Sequence, residues 1–329
     1  MRMMLRARTH DERGATIVIV GLMLVAIMGM LALVTDVGGL IAMKRRVVTA
    51  TDSAALASAQ SFARNQGGLC GSAGGNATAL ASANNFAQDN VSNASSVSFT
   101  PDCHDKSVEV SYKAPVHFFF AKVIGAGSGD EVPATSTAIW GPVGRARPAP
   151  IMVFESQLQA CGIPDTVPPD GESIPCDLTY NTHAALGPPF WGELDLSQWG
   201  NGTPGACHVS AEELRNEIDA GGWPTELALN AGGVPTPDCA DNGRSTSVFM
   251  DLVGKTLTFP VVSDTPISNG GGSGGAVMNV LGFVKVTVAA FDNGSTITLH
   301  TEWAGPNSQP GVPVVGGPDF GERAVRLVG

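Results

Sequence analysis

Charge is scarce in this chain. Only 15% of its 329 residues are Asp, Glu, Lys or Arg, and the balance is acidic, with a formal net charge of −11 at pH 7. A phosphate-binding surface needs clustered Lys and Arg. Beyond Arg46 the basic residues are thinly spread, so no general affinity for nucleic acid is expected. The cysteines show none of the short paired spacings of a zinc site or a C-x-x-C redox motif. No H-E-x-x-H, P-loop or internal repeat occurs, and Gly125-Ala126-Gly127-Ser128-Gly129 reads as a plain turn. No catalytic residue, cofactor or metal is expected.

One segment dominates what is there. Between Arg13 and Asp36 runs an apolar stretch, Ala15 to Val34, free of charge and broken by a single hydroxyl, Thr16. About 20 residues at 1.5 Å each cover the ~30 Å hydrocarbon core, so the run is long enough to span and too long for a secretory h-region. With no water in that core, every backbone N–H needs an internal partner, which makes the span a helix. Gly21 and Gly29 are tolerated there.

Basic residues flank the run on both sides: Arg2, Arg6, Arg8 and Arg13 before it, Lys44, Arg45 and Arg46 after it. The earlier group is larger and closer, which favours an N-terminus in the cytoplasm and the long C-terminal part outside. All six cysteines, Cys70, Cys103, Cys161, Cys176, Cys207 and Cys239, follow the span, and their even number suits disulfides in an oxidising compartment. The sequence does not choose among the pairings. Sequential pairing is the working expectation: Cys70 with Cys103, Cys161 with Cys176 and Cys207 with Cys239.

The helical pattern continues past the span, since Val37, Leu40, Ile41, Val48, Thr51, Ala55, Ala59 and Phe62 recur at steps of three and four. One helix is expected from about Gly14 to Arg64, a rod of roughly 75 Å whose outer half is a stalk with an Ala-rich face that admits close neighbours. Gly67, Gly68, Gly71, Gly74 and Gly75 break it. With 41 glycines and 22 prolines, the rest suits a disulfide-pinned, strand-rich domain better than a helical bundle. The expected fold class is α+β: a single N-terminal transmembrane helix continuing into a long stalk helix, a small α/β unit, then a loop-rich, mainly antiparallel β ectodomain with disulfides. The boundaries are 1–14 for a cytoplasmic segment, 15–35 for the transmembrane helix, 36–64 for the stalk, 65–140 for the α/β unit, 141–150 for a linker and 151–329 for the ectodomain.

Within the α/β unit, Asn76 to Gln88 reads as a helix, Val97 and Phe99 and then Val108, Val110 and Tyr112 alternate as strands, and Val116 to Ile124 is apolar and ambiguous. Farther on, a Pro-rich, loop-rich stretch precedes a helix opened by a Ser210/Glu213 capping box and closed by Gly221-Gly222. Strands are expected at Ser247 to Val253, Thr256 to Val262, Val277 to Phe291, Thr296 to Trp303 and Arg323 to Val328, with Asp292-Asn293-Gly294 as a hairpin turn.

The order R-G-A, an apolar span, T-D-V-G-G-L at Thr35 to Leu40, K-R-R at Lys44 to Arg46 and A-T-D-S-A-A-L-A-S-A at Ala50 to Ala59 resembles the N-terminal region of TadE/TadG-like proteins. These belong to the assembly machinery of Flp, or tight-adherence, pili in bacteria. The resemblance covers about the first 65 residues. It implies a single-pass protein of the bacterial cytoplasmic membrane whose N-terminal helix meets other Tad/Flp pilus or secretion-platform proteins and lipid. Two departures stand out. Processed pilins of that system carry Glu five residues after the cleaved Gly, whereas Gly14 is followed at that distance by Ile19; and Asp195-Leu196-Ser197-Gln198-Trp199 lacks the second Ser of a D-x-S-x-S metal site.

Asp36, Gly38, Asp52, Ala55 and Ala59 are the assembly-interface candidates. For Asp36 one reading pairs its carboxylate with a basic group on a neighbouring subunit. The plainer one, preferred here, places it in the headgroup region at the end of the span, where insertion costs fall steeply. Asp52 reads as a solvated position on the stalk, and Lys44-Arg45-Arg46 as a membrane-surface anchor. Chemical patterns elsewhere have plain explanations. Gly271-Gly272-Ser273-Gly274-Gly275 matches a nucleophile elbow but lacks the strand before it and the helix after it. Cys103-His104 and Cys207-His208 are better explained by disulfides than by a metal, and Asp165, Asp170, Glu172 and Asp177 lack the spacing of a Ca²⁺ loop. The expectation is a non-catalytic, membrane-anchored pilus-assembly protein, minor pilin-like, whose ectodomain acts by contact. The rivals are an anchored adhesion module whose ectodomain takes a surface ligand and, third, an ectodomain hydrolase using Ser273 with His300 or His183.

Overall fold

A computed structural model of the chain describes residues 13–65, 69–91, 96–121, 129–163, 172–181, 192–200, 209–230, 236–240, 246–269, 276–294, 296–314 and 317–328. The apolar run and the small-residue pattern after it form one helix, α1 (Arg13–Ala63), of 51 residues, with each end one residue from the expected one. Among the described residues it is the one helix long and apolar enough to cross a membrane. Between Ile17 and Val34 its large apolar side chains are exposed. Farther along, one face becomes covered: Ala32, Asp36, Leu40 and Met43 partly, then Val47, Ala50, Thr51, Ala54, Ala55, Ser58, Ala59 and Phe62 completely or nearly so. Steps of three and four keep these residues on one side of the helix. The buried hydroxyls of Thr51 and Ser58 donate to the carbonyl oxygens of Val47 and Ala54, one turn earlier, so neither is left unsatisfied.

Along the chain follow α2 (Ala73–Asn90), β1 (Ser96–Asp102), β2 (Ser107–His117), β3 (Gly129–Pro142), β4 (Arg145–Ala146), β5 (Val153–Phe154), α3 (Glu155–Ala160), β6 (Ile174–Asn181) and β7 (Leu194–Asp195). The remainder comprises α4 (Ala211–Asp219), β8 (Leu227–Ala228), β9 (Thr236–Ala240), α5 (Thr246–Met250), β10 (Thr256–Val262), β11 (Ser268–Asn269), β12 (Ala276–Asn293), β13 (Thr296–Trp303), β14 (Asn307–Pro310) and β15 (Glu322–Val328). One sheet has the order β1-β2-β3-β15-β14. A larger one runs β5-β10-β12-β13-β6, with β9 and β11 also on β12 and β7 on β9. In the larger sheet pairing is antiparallel except for β5 with β10; β15 runs antiparallel to β3 and parallel to β14. The α+β expectation, a long apolar helix followed by a mostly antiparallel β region, is met.

Two compact units divide the residues. The first takes 1–51, 87–98 and 111–135; the second takes 52–86, 99–110 and 136–329. In the first, strict alternation along β2 buries Tyr112, Ala114 and Val116, β3 contributes Val132 and Ala134, and α1 contributes Val47 and Ala50. The Tyr112 hydroxyl donates to the Val91 carbonyl oxygen at 2.8 Å, which lets a phenol sit fully buried.

In the second unit, the end of α1 packs through Phe62, whose ring stacks on Trp140 of β3 at 4.9 Å and tilts against Phe99 of β1 at 6.2 Å. Ser58 also donates to the Ala79 carbonyl oxygen of α2 at 3.3 Å, an approach that small side chains permit. Arg323 of β15, almost fully buried, closes the helix. Its Nη1 donates to the Ala63 carbonyl oxygen at 2.7 Å and to Asn65 Oδ1 at 2.8 Å, and its Nε to Asp319 at 2.9 Å. Asn65 has φ +53°, the left-handed turn that ends many helices. A cation at that end satisfies a last-turn carbonyl and opposes the helix dipole. The larger core, with Ile151, Leu158, Leu214, Phe249, Phe259 and Trp303, lies on the β10-β12-β13 sheet.

The capping box of α4 forms as expected, Glu213 N–H donating to Ser210 Oγ and Ser210 N–H to Glu213. Strands β10 and β13 have the expected bounds. Three local readings need correction. Ser247 to Val253, expected as a strand, is the helix α5 with a tight turn after it, because Val248, Phe249 and Leu252 are buried at helical spacing. Within the stretch read as loops, Ile174–Asn181 is the edge strand β6, which buries Cys176, Leu178 and Tyr180 and holds Pro175 where an edge tolerates it. Residues 141–150, expected as a linker, are packed: most are buried, β4 pairs with β8, and Gly141 and Pro142 pair with β15. Disulfides join Cys70 to Cys103 and Cys161 to Cys176, in agreement with the sequential expectation. Cys239 lies in β9, and Cys207 is outside the described residues.

Candidate functional site

Asp36 lies just beyond the exposed apolar stretch of α1, two residues after Val34. Its carboxylate is taken up by the chain's own backbone. Oδ1 accepts from Phe119 N–H at 2.9 Å, Oδ2 from Phe120 at 3.0 Å and from Ala121 at 2.7 Å, and Phe120 is also 3.4 Å from Oδ1. Three successive amides thus point into one carboxylate, each bond strengthened by the acceptor's charge. The loop holding them leaves β2 after His117, and at its other end Gly129 begins β3 so close to the Val116 backbone that any side chain there would clash. Because β2 alternates, Phe118 continues the inward series and Phe119 points out. Phe119 is 78% exposed and Phe120 45%. Beside the carboxylate a cavity of about 450 Å³ is lined by Gly29, Ala32, Leu33, Val37 and Leu40 of α1 and by Phe118, Phe120 and Ala121. Two turns on, Lys44 Nζ donates to the Pro133 carbonyl oxygen of β3.

The other interface candidates separate into open and covered. Gly38 is exposed, with nothing within 4 Å of where a Cβ would be, and Gly21 and Gly39 are equally open. Ala55 and Ala59 have no exposed surface: the small-residue face of the stalk is occupied by the chain's own fold. Asp52, expected as a solvated position, is only partly exposed and accepts a hydrogen bond from the Ser136 hydroxyl of β3.

The chemical patterns remain dispersed. Cys103 is in a disulfide, and the neighbouring His104 N–H donates to Asp102. Cys207-His208, Ser273 with its glycines, His183, Asp165, Asp170 and the Gly125 turn lie outside the described residues. Asp177 pairs with His300 (Nδ1 to Oδ1, 2.8 Å), whose Nε2 meets Asp292 at 3.1 Å; hydrogen bonds to the carboxylates of Asp292 and Asp177 raise the imidazole's pKa. Glu217 on α4 is pushed up to about 7 by burial and then by the charges of Glu213 and Asp195. Among the described residues no group of three or more His, Cys, Asp or Glu could hold a metal ion.

The Phe118–Phe120 loop was legible only as an ambiguous apolar piece. Its one local signal is three successive aromatics directly after an alternating strand. Its partner, Asp36, lies 83 residues earlier, beyond the reach of any local pattern.

Comparison with known proteins bears on α1 alone. A family model described as putative Flp pilus-assembly TadE/G-like matches residues 14–61, nearly the whole of that helix. No curated protein and no solved structure matches the chain.

Proposed function

We propose that this protein is a membrane-anchored, non-catalytic component of a Flp (tight-adherence) pilus-assembly system, inserted with its N-terminus in the cytoplasm and its β-rich domain outside. The observation that carries the reading is coincidence: the TadE/G-like match falls on the one helix, among the described residues, that is apolar and exposed over a bilayer's thickness. Exposed Leu, Ile, Val and Met all round a helix are costly in water and ordinary in lipid. Contacts with other pilus or secretion-platform components are made by the open part of α1, in minor pilin-like fashion. With Ala55 and Ala59 covered, Gly38 becomes the best-placed interface candidate, since a glycine exposed on a helix allows the closest approach of a second one.

The test is crosslinking from Gly38→Cys, with Ala55→Cys as the buried control, followed by purification from gently solubilised membranes. Recovery of pilin-like or secretion-platform proteins from the Gly38 position alone supports the reading. If the protein is recovered by itself with its ectodomain folded, it is an anchored adhesion module instead.

A further inference from the structure

We propose that the loop Phe118–Phe120 is a second membrane contact, seated in the outer-leaflet boundary beside α1, and that Asp36 is the positioning residue that makes this possible. The inference rests on the reading of residues 16–34 as a span.

Level along the helix is the first argument. The loop's Phe118, Phe120 and Ala121 share a cavity with Gly29, Ala32 and Leu33, all inside the apolar run, and Gly29 lies seven residues, roughly 10 Å, deeper along the axis than Asp36. A bilayer that surrounds Met28, Met30, Leu31 and Leu33, each more than half exposed, reaches the loop as well. Side-chain chemistry is the second. Phe119 and Phe120 offer large aromatic surface that the fold does not bury, at the height where apolar rings enter the headgroup and acyl boundary.

Backbone accounting is the third argument. A loop that enters lipid cannot leave its N–H groups to water, because there is none. Here the three amides of Phe119, Phe120 and Ala121 are all satisfied by Asp36, and the carboxylate is in turn surrounded by donors. The charge and the loop solve each other's problem at the membrane boundary. The occupant that fits is lipid, since the cavity and the exposed rings are continuous with the surface of α1 that lipid already covers.

The full-length protein in phosphatidylcholine/phosphatidylglycerol vesicles, doped with a phospholipid carrying a diazirine in its acyl chain, tests this by photolabelling and peptide mapping. Adducts are expected both on residues 16–34 and on the peptide containing Phe119 and Phe120. Asp36→Asn, which keeps the shape but weakens the acceptor, should reduce the loop adducts severalfold and leave the helix adducts unchanged. Adducts on α1 alone, with the loop labelled by a water-soluble diazirine, overturn the proposal. So does a loop protected from both reagents, which would mean a protein cover. Absence of lipid adducts on residues 16–34 defeats the spanning reading itself.

Discussion

The two halves of α1 are built on opposite rules. From Ile17 to Val34 the large apolar side chains are exposed, whereas from Val47 to Ala63 the buried residues are mainly Ala, Thr and Ser. The first half has apolar surface that the described fold does not cover. The second covers its own. Two carboxylates mark the same contrast. Asp36 gathers three backbone amides of a loop, while Asp52 takes a serine hydroxyl from β3. What the comparison teaches is that a continuous helix, and a family match running along nearly all of it, do not imply a continuous interface.

The contrast can be broken most severely where the buried half ends. Arg323→Ala removes the Nε donor to Asp319 and the Nη1 donor to the Ala63 carbonyl and should cost about 3 kcal/mol, since breaking a buried charged network is far worse than never having built it. Denaturant unfolding of the detergent-solubilised chain, followed by tryptophan fluorescence, reads it; a loss near zero would mean the helix end is held by something else. Ala59→Leu forces a larger side chain into a face with no free surface and should cost about 2 kcal/mol in the same assay. An unchanged midpoint would show that this face opens readily. Asp52→Ala removes a single partly exposed hydrogen bond, with an expected loss of about 1 kcal/mol. In the exposed half, Leu24→Ala should leave unfolding of the β-rich region within about 0.5 kcal/mol of the parent, because nothing in the fold rests on an exposed side chain there. A larger effect at Leu24 would erase the distinction between the halves.

Much of the architecture was legible in the sequence. α1 needed only hydropathy and spacing, and α4 only its Ser210/Glu213 box, because helix signals are local. β10 and β13 alternate cleanly and end at turns. What stayed hidden depends on partners far away. V-F-M-D-L-V is too short an apolar run to separate strand from helix, so α5 emerged only once Val248, Phe249 and Leu252 were seen to share a buried face. The stalk's Ala-rich face reads as an interface for another protein, and in the structure Ala55 and Ala59 are buried in the chain's own fold. Nothing at Ala55 or Ala59 says that the chain's own elements will reach it first. Asp36 was legible as a charge at a boundary, and its three donors were not, for they come from a loop with no capping motif.

Arg323 gives the architecture a clock. The guanidinium that closes α1 is supplied 260 residues after the carbonyl it binds. At about 5–20 residues per second, ribosomal synthesis leaves that helix end open for roughly ten to fifty seconds. β3 also waits for its neighbour β15, whose Arg323 pairs with Pro142. The helix emerges early and can enter the bilayer, while the far end of the same rod stays unfinished until the last strand arrives.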